Sequence, residues 1–232
     1  MSDALSAGTL QSGDNSHAVV GSLQRELMRL YELDVAFHAH DFLLTDARLA
    51  AALSGSGYRP SVESLLVRET GDALELSLFL DPQLLKRLQR CVGASRSEHG
   101  ALEDFWSALE GISHFLYLIF NAQRRQSVRA VEMELQAEVD KFVLTMLTGS
   151  ARGLPDTAGR IHELLFERTR LDPALDAAGR KRYRDADRHA ARYCLSLARR
   201  FASAQHPGLR RELRRFYRLD HHAKLRFIDA CV

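Results

Sequence analysis

The sequence predicts an α+β protein, mostly α-helical, with a central long helical hairpin and a small antiparallel β-sheet toward the N-terminus. Three patterns carry that prediction. One helix-period apolar stripe runs from Leu102 to Phe120 and a second from Val128 to Met146, while Leu74, Leu76, Leu78 and Leu80 alternate with their neighbours at strand period.

At 100° per residue, Leu102, Phe105, Trp106, Leu109, Ile112, Leu116, Ile119 and Phe120 fall in one broad arc. An arc that wide needs several partners, so this helix belongs to the core. Val128, Val131, Leu135, Val139, Phe142, Val143 and Met146 define the second helix, with Ser127 as its expected N-cap. The intervening residues 121–126 contain neither Gly nor Pro. An unbroken helix of about 47 residues would extend roughly 70 Å, too long for a compact domain, so a hairpin turning near Arg124 is expected.

The remaining elements follow in order. Residues 1–20 are small and polar and read as a disordered tail; 21–232 read as a single domain. Leu23, Leu27, Leu30 and Tyr31 mark a helix over 21–33. Residues 34–44 read as a strand and Asp46–Leu53 as a short helix, so 33–80 form the β-containing part. Gly71–Asp72, between two apolar runs, suits a two-residue hairpin with Gly first. Asp81–Pro82 supplies an N-cap and a proline at the first helical position, starting a helix to Cys91; Asp172–Pro173 repeats the signal. Helices over 157–170, 180–202 and 209–219, with a last short one from Asp220, complete the chain.

With 232 residues, 46% hydrophobic and 27% charged, the chain can bury a sizeable core. Cys91, Cys194 and Cys231 are odd in number and far apart, which disfavours a disulfide scaffold or a zinc ribbon and fits reduced thiols of the cytoplasm. The opening residues lack a charged segment leading into an apolar run, and the longest apolar run is Phe115–Phe120, so neither a secretory signal nor a membrane span is expected. Residues 1–150 carry 13 Lys/Arg and 20 Asp/Glu, whereas 151–232 carry 19 and 10. A division of charge this uneven points to an anionic partner, or to the two parts docking on each other.

Several chemistries are excluded by missing motifs. Gly-x-Ser-x-Gly, the phosphate-binding G-x-x-x-x-G-K-[ST] and G-x-G-x-x-G are absent, as is any Glu-x-x-His pair of a di-metal carboxylate bundle. No cofactor is implied. Two clusters deserve weighing as sites. An antiparallel hairpin turning near Arg124 would set Glu132 near Tyr117 and gather Glu110, His114 and Glu132 into a polar cluster. Groups of this kind are costly to bury unless they satisfy one another, so the cluster reads as a hydrogen-bonded structural knot before it reads as a catalytic site. His38, His40 and Asp41, in the sequence HAHD, offer an H-x-H pair that would share one face of a strand. On a helix, His40–Asp41 instead resembles the His-Asp dipeptide of the HD-type phosphohydrolases, whose other metal-binding positions have no counterpart here. Two imidazoles without a defined third and fourth ligand do not make a metal site, and none is expected.

The arginines of the last third are more informative. Arg180, Arg184, Arg188 and Arg192 recur every fourth residue and form a stripe, with Arg199 and Arg200 on the next turns. Arg210, Arg211, Arg214, Arg215 and Arg218 cluster with Phe216 and Tyr217. Guanidinium groups beside aromatic rings suit phosphate contact and base stacking. The expected role is a non-catalytic interaction or regulatory subunit. Its binding surface would be Arg180, Arg184, Arg188, Arg192, Arg199, Arg211, Arg214, Arg215, Arg218 and Tyr217, and its partner another protein or a second copy. Nucleic acid is the alternative partner for the same arginines.

Overall fold

A computed structural model of the chain describes residues 7–55, 61–71, 73–90, 98–149, 151, 157–167, 177–201 and 206–231. The expected Asp172–Pro173 cap and Cys91 lie outside these residues. The architecture is α+β: mostly helical, with one small sheet. Where the sequence suggests one domain over 21–232, backbone packing divides the chain into two compact units. One comprises Met1–Arg25 and Ala36–Leu116, the other Glu26–Val35 and Tyr117–Val232. Both boundaries next to Arg25 and Leu116 fall inside continuous helices, so no linker composition marks them.

In the first unit, helix α1 (Ala7–Tyr31) begins at Ala7, not at Gly21, so residues 7–20 are helical where a tail is read. Val20 explains the extension: it is buried and lies three residues before Leu23, on the stripe that Leu27 and Leu30 continue. The sheet has the order β1 (Leu43–Leu44), β3 (Ala73–Leu80), β2 (Glu63–Thr70). Strands β2 and β3 pair antiparallel from Glu63↔Leu80 to Thr70↔Ala73; Asp72 of the expected Gly71–Asp72 turn lies outside the described residues. Gly71 has φ 60°, the region that glycine occupies without steric cost. Strand β1 runs parallel to β3, so the sheet is mixed and not wholly antiparallel.

Of the strand expected over 34–44, only Leu43 and Leu44 pair. The Gln24 side chain of α1 takes up the backbone ahead of them: its Nε2 donates to the Phe37 carbonyl at 2.8 Å, and its Oε1 accepts from the Ala39 N–H at 2.7 Å. With those groups satisfied by a side chain, the segment needs no neighbouring strand. Ala39–Phe42 instead make one 3-10 turn.

Helix α2 (Ala47–Ser54) is capped by Asp46 and α3 (Pro82–Arg90) by Asp81, whose carboxylate accepts from the N–H groups of Gln83 at 2.7 Å and Leu84 at 3.1 Å. Helix α4 (Glu98–Ala122) packs on β3 through Gly111, where a Cβ would sit 2.9 Å from Leu78 Cδ1. Arg87 grips Asp104 through Nε and Nη2, tying α3 to α4.

The second unit is helical. The turn after α4 closes without glycine: Arg125 adopts φ 53° and donates its N–H to the Ala122 carbonyl, while Gln126 donates to Asn121 at 3.0 Å. This is a Schellman closure with arginine in the left-handed position. Helix α5 (Ala130–Thr148) follows, two residues later than an N-cap at Ser127 would place it. Then come α6 (Ala158–His162), a π-helical turn (Glu163–Glu167), α7 (Ala177–Arg200), α8 (Pro207–Tyr217) and α9 (His221–Ala230). Helix α7 turns Ala186, Ala190, Tyr193, Cys194 and Leu197 inward, and its small residues let it lie close along α5. Tyr31 stacks on Tyr217 at 4.2 Å, and Tyr193 on Phe216 at 4.1 Å. No helix among the described residues is long and apolar enough to cross a membrane.

Candidate functional site

The four-residue arginine period of α7 emerges as one outward face. Lys181, Arg184, Arg188 and Arg199 are exposed, Arg180 and Arg192 half-buried, and Leu195 lies in the same stripe with 37% of its surface open. Helical geometry accounts for this, because the buried alanines and Tyr193 occupy the opposite side. Two members are neutralised along the helix or across it: Lys181 donates to Asp185 at 2.5 Å, and Arg192 to Asp229 of α9 at 3.0 Å. That lysine holds the Asp185 carboxyl below its ordinary value. Arg184 donates only to the Arg180 carbonyl, at 3.1 Å. Arg184, Arg188 and Arg199 have no carboxylate within ion-pair distance among the described residues, so their charge is open to a partner.

The arginines of α7's end and of α8 divide differently. Arg200 is bound through two nitrogens to Glu212 and is thereby held more firmly protonated. Arg214 donates to the Leu30 carbonyl at 3.0 Å and pairs with Glu32 at 2.7 Å. Arg218 donates to the carbonyls of Arg214 and Glu32. These two clamp α8 to the end of α1 and serve the fold. Arg210, Arg211 and Arg215 remain exposed, Arg215 lying over the Phe227 ring at 5.4 Å.

Tyr217 is not on the binding surface: it is 2% exposed, and burial pushes its hydroxyl well above the usual tyrosine range. An aromatic next to arginines in sequence is one helical step from the opposite face. Here Tyr217 turns inward, edge-on to Tyr117 at 5.3 Å and Phe120 at 5.2 Å.

That inward face surrounds a residue the sequence reading passed over. Lys224 of α9 is 0% exposed. Its Nζ donates to Gln136 Oε1 at 2.6 Å and lies 4.4 Å from the centre of the Tyr117 ring and 4.9 Å from that of Phe216. Gln136 in turn donates to Asp140 Oδ1 at 2.8 Å, and Tyr31 donates to the same oxygen at 2.5 Å. Burial pulls the Lys224 ammonium down to about 7, against the opposing pull of Asp140 and Glu132. The available sequence signal was the i, i+4 pair Lys224–Ile228, the buried side of an otherwise polar last helix. Fully enclosed, this network anchors α9; it offers no open face to a ligand.

Glu132 plays a different part from the one expected. Its carboxylate accepts the Arg129 backbone N–H at 2.8 Å, stabilising the start of α5, and its charge reaches Tyr117 as the hairpin register implies. It belongs to the second unit, whereas Glu110, half-buried, and His114, buried, are on the part of α4 in the first.

His38 and His40 flank the buried Ala39 at the 3-10 turn, not on a strand. Their rings lie 5.3 Å apart, and the His17 ring of α1 lies 5.4 Å from that of His40. His40 Nε2 is 3.4 Å from Asp41 Oδ1. The sequence reading set His17 aside with the tail, and the helical start at Ala7 is what brings it in.

Compared with known proteins, the chain matches no family model, no curated protein and no solved structure.

Proposed function

We propose that this chain is a non-catalytic interaction or regulatory protein whose α7 arginine face docks an acidic protein surface. The observation that carries the reading is the combination, on one face, of three arginines with no carboxylate within ion-pair distance among the described residues and a partly open leucine. Unneutralised guanidinium groups select carboxylates and speed encounter, and a neighbouring apolar side chain supplies area that water leaves on docking. Of the other arginines of the expected surface, Arg192, Arg214 and Arg218 are taken up by contacts within the fold.

The test is an Arg184→Glu/Arg188→Glu double variant. Both positions are exposed, so the fold is expected to persist by circular dichroism. Sedimentation velocity tests self-association, and capture from extract tests another chain; a protein complex retained by the wild type and lost from the variant supports the reading. A complex that survives charge reversal overturns it. Binding instead to duplex or single-stranded DNA, weakening steeply with salt, would overturn it in favour of nucleic acid.

A further inference from the structure

We propose that Lys224 and Gln136 are placed to join in an intramolecular isopeptide bond, an ε-(γ-glutamyl)lysine link that ties α9 to α5. The site lies wholly within the second unit and is separate from the α7 arginine face.

An exchange of this kind needs an uncharged amine, a carboxamide carbon within reach of its lone pair, a group to carry the proton, and the exclusion of water. Lys224 Nζ is 2.6 Å from Gln136 Oε1. With a C=O bond of about 1.23 Å, that puts the nitrogen roughly 3–4 Å from the carboxamide carbon, at the edge of the near-attack range. The carboxamide is held from its other end, where Nε2 donates to Asp140 Oδ1 at 2.8 Å and to Tyr31 Oη at 3.2 Å. Lys224 and Gln136 are both 0% exposed and Asp140 1%. The rings of Tyr117, Phe216 and Tyr217 close round the amine.

An ordinary lysine is uncharged in about one molecule in 2,500 at pH 7. Burial brings Lys224 to about 7, against the pull of Asp140 and Glu132, so about half of these amines are uncharged there. In the reaction the Nζ lone pair forms a bond to Cδ of Gln136, and the Cδ–Nε2 bond breaks. One Nζ proton passes through the Asp140 carboxylate, already bonded to Nε2, to the departing nitrogen, which leaves as ammonia. The exchange balances without an oxidant or a co-reactant, and it needs no open face, since both reactants belong to the chain. Exclusion of water keeps hydrolysis of the carboxamide from competing. Until the bond forms, Lys224 titrates as a buried amine.

The experiment holds the full chain folded at about pH 8.5, where the amine is uncharged, and reads its intact mass under denaturing conditions. A species lighter than the sequence mass by one ammonia is expected, yielding on proteolysis a linked peptide pair that contains Lys224 and Gln136. Lys224→Arg and Gln136→Met keep the full mass, as does wild type held in urea, where the two side chains are apart. Asp140→Asn slows formation at least tenfold. Circular dichroism shows which variants are folded, and the wild-type measurement stands without them. A folded wild-type chain that keeps its full mass, or an ammonia loss that maps to peptides without Lys224, overturns the proposal.

Discussion

Lys224 donates a 2.6 Å hydrogen bond to Gln136, 88 residues earlier, and this contact helps to hold the last helix through a group that water cannot reach. The groups facing it are Glu132 and Asp140 of α5, Tyr117 of α4, and Phe216 and Tyr217 of α8.

A pH signature follows. In the unfolded chain a lysine titrates at about 10.4, whereas Lys224 in the fold does so at about 7. Between these values the unfolded chain holds more protons, so this residue makes stability rise with pH. Below pH 7 both states are protonated and it adds no slope. His189 and His221 are held below their ordinary value, so their rising contribution is complete by about pH 6.5. Cys194, Cys231 and the buried tyrosines are pushed upward and lower stability only above about 8.5 and 10 respectively. From pH 7 to 8.5 Lys224 should therefore contribute a climb in stability of roughly 1 to 2 kcal/mol. Urea denaturation at several pH values measures it. Lys224→Met should flatten the climb; a variant that keeps the wild-type slope would contradict the assignment.

Tyr31→Phe tests the other end of the network. The ring and its 4.2 Å stacking on Tyr217 stay, while the donor to Asp140 and the weaker 3.2 Å acceptor for Gln136 Nε2 are removed. A hydrogen bond to a buried carboxylate contributes about 1.5–3 kcal/mol, and that is the expected loss in chemical denaturation. Tyr31→Leu should cost more, since stacking goes as well. Equal losses would mean the hydroxyl is energetically idle.

How far the sequence revealed this structure depended on whether burial showed as periodicity. The stripes on α4 and α5 and the leucine alternation of β3 are long runs of apolar residues, and they become helices and strand within a few residues of the expected limits. Lys224, Gln136 and Asp140 were illegible because polar residues at inward positions look like surface until the partners are known. Tyr217 erred in the opposite sense: neighbouring arginines in the sequence said nothing about which side of α8 it takes. Residues 34–38 have a strand-like pattern, but a glutamine on α1 takes up the Phe37 carbonyl and the Ala39 N–H, long-range bonds that no local pattern reports. The HAHD motif was visible, but the approach of His17 to His40 was not, because residues 1–20 read as a tail and are helical from Ala7.

Two glycines in helices should respond oppositely to alanine. Glycine inside a helix ordinarily costs about 1 kcal/mol against alanine. At Gly159 nothing lies within 4 Å of the added Cβ, so Gly159→Ala should stabilise by up to about 1 kcal/mol. At Gly111 the Cβ meets Leu78 Cδ1 at 2.9 Å and Glu63 Oε2 at 3.0 Å, and Leu78 is wholly buried. Overpacking of about 1–3 kcal/mol outweighs the helical gain, so Gly111→Ala should lower the melting temperature. A rise at Gly111 would show that α4 and β3 can separate without cost.

Arg125 supplies the last prediction. The chain reverses after α4 by placing this residue at φ 53°, the position where a Schellman closure normally has glycine. A side chain there crowds its own carbonyl, at a cost of about 1 kcal/mol. Its backbone bond to Ala122 depends only on the main chain, so glycine keeps it. The side chain is exposed and has no carboxylate partner among the described residues, so its removal forfeits little within the fold. Glycine's greater freedom in the unfolded chain offsets part of the relief. Arg125→Gly should therefore stabilise by about 0.5 kcal/mol, and Arg125→Val, whose branched side chain tolerates positive φ poorly, should destabilise. Matched urea curves for the three proteins decide it. If glycine is the least stable of them, the arginine contributes to the fold through a contact of its own, and the turn is held by more than its backbone.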